Sequence, residues 1–129
     1  MDCGVTMIRL MIVDDHDLLR DAIHIALQYV HDIDVVGVAK DGLEALETAA
    51  RLSPDAVLMD LAMPHLDGIE ATRRLLQLQP QIRVVAWTSA VGGRQADAAL
   101  TAGAVSVMYK DAELESIIQA IRAAIESGR

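Results

Sequence analysis

Two adjacent carboxylates, Asp14 and Asp15, close one run of branched apolar residues, and a third, Asp60, closes another. The runs Ile8–Val13 and Ala56–Met59 are too short for independent helices and read as central parallel strands, so all three acids are expected at one sheet edge. Like charges gathered in a buried place repel unless a cation or a proton offsets them, which points to a divalent ion such as Mg²⁺. A carboxylate so placed can attack an in-line phosphoryl group and form an acyl phosphate, provided charge on the equatorial oxygens is neutralised. Asp60 is the expected nucleophile. Asp15, Asp60 and the backbone carbonyl of Ala62 are expected to hold the ion, with Asp14 contributing directly or through water. Lys110 follows a later apolar run and offers a mobile positive charge to a phosphoryl oxygen. The hydroxyl of Thr88 can donate to another oxygen, although Ser89 beside it offers the same group.

Each of these residues also has a plainer role. Asp14 and Asp15 could cap a helix, Asp60 could sit in a solvated turn, and Lys110 could be a surface charge. What favours chemistry is that all of them fall after strand-like runs, where ligands of open parallel sheets sit. Asp67 reads as a cap. His16, His24, His31 and His65 read as structural or surface residues, since His24 and His31 fall on a predicted helix with no carboxylate at ligand spacing. The methionines read as core filler, and Trp87 is expected on the strand face opposite Thr88, under helices.

The elements that must position these groups alternate in type. Strands are expected at about 8–13, 34–38, 56–59, 82–87 and 105–108, each followed by a segment of helical period, which argues for a doubly wound α/β sheet. Leu18, Leu19, Ala22, Ile23, Ala26, Leu27 and Val30 make the inward stripe of a first helix over 17–30. Asp41 with Glu44, and Asp67 with Glu70, have the form of capping boxes opening the second and third helices. Ser53-Pro54-Asp55 breaks the chain before the third strand, Gly103 stops a fourth helix near 94–102, and Asp111 is placed to cap a fifth running to about Glu126.

With 129 residues the chain is expected to be one domain, 1–129, with a core of about 7–126. Its hydrophobic fraction is 53% without a single Phe, so Leu, Ile, Val, Ala and Met must fill the interior. A net charge of −8 repels nucleic acid and anionic membrane. Cys3 is the only cysteine and has no partner for an intramolecular disulfide, which fits a reducing, cytoplasmic setting. No signal peptide or membrane span is read from the sequence.

Val13-Asp14-Asp15-His16, the stretch Met59-Asp60-Leu61-Ala62-Met63-Pro64-His65-Leu66-Asp67-Gly68, Trp87-Thr88-Ser89 and Tyr109-Lys110-Asp111 together resemble, in order and spacing, the motifs of the receiver domains of two-component response regulators. The resemblance runs from Met7 to Glu126. It implies a flavodoxin-like, five-stranded parallel sheet of order 2-1-3-4-5 with helices on both faces. It further implies that Asp60 accepts a phosphoryl group from a sensor histidine kinase and that Asp14 and Asp15 bind Mg²⁺. Thr88, chosen over Ser89 by family spacing, and Lys110 would couple phosphorylation to a surface change. Ile8–His16, Val35–Ala39 and Glu70–Leu75 look most like receivers joined to a LuxR-type helix-turn-helix output domain. A receiver separated from such a domain is therefore expected first, and a stand-alone receiver second. Homodimerisation on phosphorylation is expected, with DNA reached only through the output domain.

Rival readings are a phosphate-independent interaction module, which intact Asp60, Thr88 and Lys110 disfavour, and an Asp-nucleophile phosphatase. The phosphatase would carry a second acid two residues after its nucleophile, where this chain has Ala62. A nucleotide or flavin binder is disfavoured because no Gly-rich loop follows the first strand. One departure from the receiver pattern stands out. The aromatic residue commonly found three positions before the strand-five lysine is replaced by Val107, so the switch is expected to rest on Thr88 and the Ala90–Gly93 loop, or else on Tyr109 as a substitute ring.

Overall fold

Five apolar segments pair in parallel, and their register sets the frame of the molecule. In the computed structural model, which describes residues 7–89 and 93–126, they are β1 (Ile8–Val13), β2 (Ile33–Ala39), β3 (Ala56–Asp60), β4 (Arg83–Thr88) and β5 (Ser106–Tyr109). They form one sheet of order β2-β1-β3-β4-β5. Five helices alternate with them: α1 (Asp17–Leu27), α2 (Gly42–Leu52), α3 (Gly68–Leu78), α4 (Gly93–Ala102) and α5 (Leu114–Glu126). Every residue of β3 is buried, as a central strand covered on both faces requires.

Strand alternation divides the interior in two. Met11, Val13, Val57, Met59, Val84 and Ala86 pack with residues of α2, α3 and α4. Leu10, Ile12, Leu58, Val85 and Trp87 pack with Leu27 of α1 and with Ile117, Ile118 and Ile121 of α5. Trp87 is 1% exposed, on the face its neighbour Thr88 does not share. The bidentate pair of Arg122 with Asp32, at 2.9 Å for both bonds, ties α5 to the turn before β2.

Several boundaries depart from the sequence expectation. α1 ends at Leu27 rather than Val30 because the amides of Gln28, Tyr29 and Val30 turn back to the carbonyls three residues earlier, tightening the chain into β2. His31 therefore lies beyond the helix. Leu18 is 88% exposed and Ala22 also faces outward, so the inward stripe is Leu19, Ile23, Leu27 and Val30. β2 is one residue longer at each end than expected, while β4 and β5 each begin and end one residue later. α5 starts at Leu114, with the Glu113 carbonyl accepting the first helical amides, so Asp111 lies in the preceding turn, three residues before the helix. Asp41 and Asp67 do cap, accepting from Glu44 N at 2.8 Å and Glu70 N at 2.9 Å. The acids three residues on act differently: Glu44 accepts from the Lys40 amide, one residue before the cap, at 2.7 Å, whereas Glu70 turns to Arg73 and Arg74.

Candidate functional site

β1 and β3 are hydrogen-bonded neighbours, with Val13 opposite Met59. The residues that follow or end them, Asp14 and Asp60, emerge side by side at the carboxyl edge. This edge lies where the strand order reverses between β2-β1 and β3-β4-β5, the place at which open α/β sheets form their crevice. Both carboxylates are buried, while Asp15, on the next residue, keeps about a third of its side chain exposed. Carboxylate oxygens of Asp14, Asp15 and Asp60 and a ring nitrogen of His16 all lie within 4.8 Å of one another.

Lys110 closes the cluster from β5. Its amide donates to the Thr88 carbonyl at 2.9 Å, and its Nζ lies 2.9 Å from Asp14 Oδ2 and 3.3 Å from Asp60 Oδ1. The ammonium also sits 5.0 Å from the centroid of the Trp87 ring. Asp60 Oδ1 accepts a further bond from Ala62 N at 3.2 Å. Burial, reinforced by the Asp14 charge and opposed by Lys110, pushes the Asp60 carboxyl up from 3.8 to about 6. A single lysine does not balance three carboxylates, and Asp60 Oδ2 is buried with no hydrogen-bond partner among the described residues. An unsatisfied buried carboxylate oxygen beside two further acids is the donor set that a hard divalent cation takes, so the residues fit such an ion.

Asp14, Asp15, Asp60 and Lys110 come together, and Asp14 and Asp15 do not cap α1, whose N-cap is His16 with no side-chain cap bond. Thr88 is the buried last residue of β4, while Ser89 lies beyond the strand and is exposed. Val107 packs on the α2–α4 side of the sheet, and Tyr109, opposite Thr88, is 40% exposed. The Ala90–Gly93 loop invoked as the moving part falls, for Ala90, Val91 and Gly92, outside the described residues.

Three contacts were not foreseen. The Arg20 guanidinium donates to the Asp14 carbonyl at 2.8 Å and to Asp17 at 2.8 Å, pinning the loop that carries the acids. The His16 amide donates to Asp14 Oδ1 at 2.8 Å, and its ring lies 3.3 Å from the same oxygen. Lys110 pairs with Asp14 directly, where only a phosphoryl contact was expected. The Asp17–Arg20 spacing signals a helical ion pair, but nothing in sequence gives the reach to the Asp14 carbonyl. Beside Asp15 opens a cleft of about 340 Å³ lined by Asp17, Lys40, Asp41, Pro64 and His65. A larger one of about 490 Å³, lined by Met7, Ser53, Asp55 and Arg83 among others, lies away from the carboxylates.

This arrangement is matched by known proteins. A family model described as the response regulator receiver domain covers residues 10–122. The response regulator GacA of Pseudomonas viridiflava is 47% identical over 116 residues, which are 90% of this chain and 54% of that protein. The transcriptional regulatory protein LiaR of Bacillus subtilis is 38% identical over 118 residues, 92% of this chain and 56% of that protein. The chain thus spans about half the length of the curated relatives it matches. Among solved structures, a LuxR-family two-component response regulator from Aurantimonas sp. SI85-9A1 superposes with a TM-score of 0.90 at 33% identity, covering 95% of this chain and 87% of that one.

Proposed function

The chain belongs to the receiver domains of two-component response regulators, which are phosphorylation-controlled switches, and from that premise we propose that Asp60 is its phosphoacceptor and the group at Asp14, Asp15, Asp60, Thr88 and Lys110 its switch site. The observation that carries this reading is the burial of Asp60 beside Asp14 with Lys110 Nζ within 3.3 Å. A donor reaching Asp60 by the cleft beside Asp15 would present its phosphorus to a carboxylate oxygen. The oxygen–phosphorus bond forms as the bond from phosphorus to the donor breaks, and the leaving atom, the imidazole nitrogen of a histidine kinase, keeps the electron pair. Asp14, Asp15, Asp60 and the Ala62 carbonyl would hold a Mg²⁺ ion, which would supply positive charge to offset the repulsion between phosphoryl oxygens and carboxylates. Lys110 then exchanges its contact with Asp60 for a phosphoryl oxygen, and the Thr88 hydroxyl donates to another.

The chain acts as a signalling switch rather than on free metabolites, catalysing its own phosphoryl transfer and slow hydrolysis. It works in the cytoplasm as a single domain and controls a LuxR-type DNA-binding output domain outside these residues; the likeness to a LuxR-family regulator supports this. Two-fold pairing of phosphorylated copies would bring two such output domains together, as two-fold operators require. Beryllofluoride, whose fluorides stand in for the phosphoryl oxygens, provides the test. With Mg²⁺ it should give a saturable change in Trp87 emission and shift sedimentation towards a dimer, and both effects should vanish in Asp60→Asn. A chain that fails to bind beryllofluoride contradicts the site assignment, while binding with an unchanged monomer contradicts the pairing.

A further inference from the structure

Lys110 lies between three neighbours, two of which are the carboxylates of Asp14 and Asp60. The third is an aromatic face, since the centroid of the Trp87 ring is 5.0 Å from Nζ, within the range at which an indole attracts an ammonium. Trp87 is bound to the site through its backbone as well. It is the register partner of Asp60 on β4, and its carbonyl accepts the amide of Leu61 at 3.1 Å. The indole Nε1 is buried with no hydrogen-bond partner among the described residues. An unpaired buried N–H is costly, and an aliphatic side chain would fill the same space between β4 and α5 without that cost. This chain has no Phe and a single Trp, and that Trp is the side chain on which the ammonium of the site rests.

We propose that Trp87 is a positioning residue: its indole face seats the Lys110 ammonium at the Asp14–Asp60 pair and keeps it within reach of a group arriving on Asp60. The seat rests on the geometry above, and its effect on phosphoryl binding rests on the function proposed for Asp60. Lys110 can slide along the ring face from carboxylate to phosphoryl oxygen without leaving its seat, because attraction to a π-face has little directional demand within the ring plane.

The chain has two lysines, Lys40 and Lys110, so ¹³Cε-labelled lysine gives one resonance for the seat and one internal control. In the native chain and in Trp87→Phe the Lys110 methylene protons should be displaced upfield by the ring current, and in Trp87→Leu they should move close to those of Lys40. Phe and Leu both leave space where the indole was, so comparing them isolates the aromatic face from the volume lost. Beryllofluoride binding followed by ¹⁹F NMR should weaken about tenfold in Trp87→Leu and less than about threefold in Trp87→Phe. A native Lys110 signal that coincides with Lys40, or equal beryllofluoride affinity in the two variants, overturns the proposal. A ring-shifted Lys110 in a native chain that binds no beryllofluoride confirms the seat and refutes the phosphoryl reading of Asp60. Should Trp87→Leu not fold, Trp87→Met replaces it with a flexible apolar chain of similar reach, under the same outcomes.

Discussion

The Asp60 carboxyl titrates near 6 in the folded chain, first because it is buried and then because Asp14 is beside it, against 3.8 for an ordinary aspartate. Between those values the folded state holds a proton that the unfolded state has released. Ion-free stability therefore falls as pH rises through the window, and above about 6 the penalty of the ionised carboxylate is fully present. Asp60→Asn should stabilise the ion-free protein at pH 7.5 by roughly 1–3 kcal/mol, with the gain vanishing below about pH 4. Urea unfolding in chelator at several pH values measures this, and a variant less stable than the native chain at neutral pH would contradict it. Mg²⁺ should shrink the gain by stabilising the ionised native site. At this scale the gathering of the acids and Lys110 was legible, because each follows or ends an apolar strand-like run and such ends meet at one edge of a parallel sheet. The Arg20 clamp and the Trp87 seat were not, since each depends on a side chain crossing from its own element to another.

The turn that joins β3 to α3 fixes where Asp60 points, and it leaves no room. A Cβ on Gly68 would press on the Asp60 carbonyl and approach the Leu61 Cα to 2.8 Å, both of them backbone atoms that cannot swing aside, while the Gly68 amide donates to the Leu61 carbonyl at 3.1 Å. Gly68→Ala should therefore cost about 3 kcal/mol and weaken beryllofluoride binding by displacing Asp60. Gly93→Ala is the control, because among the described residues its Cβ would meet nothing closer than 3.7 Å and alanine favours a helix. Thermal unfolding of the two variants checks the contrast, and equal stability would contradict it. Element types and order were readable because strand runs and helical stripes have different periods. The ends were less so. α1 stops where its amides turn back three residues, and α5 starts late because Glu113 rather than Asp111 stands before the first helical turn. The outward faces of Leu18 and Ala22 show that apolar character alone does not fix which side of a helix is buried.

Across the whole molecule, the order β2-β1-β3-β4-β5 converts residues far apart in sequence into one edge: Asp14, Asp60, Thr88 and Lys110 end or follow four different strands. The net charge of −8 surrounds the site at which we propose a phosphoryl group is taken up, so on that reading attraction to phosphate would be local, from Lys110 and a cation, rather than from the molecule's field. No helix among the described residues is long and apolar enough to cross a membrane. The central claim is that this edge exists to take one phosphoryl group on Asp60, and intact-mass spectrometry after incubation with a small phosphodonor tests it most directly. The native chain should gain the mass of one phosphoryl group in Mg²⁺ and none in excess chelator, and Asp60→Asn should gain none in either. An unmodified native mass with a donor that labels other receivers, or an undiminished gain in Asp60→Asn, would contradict it.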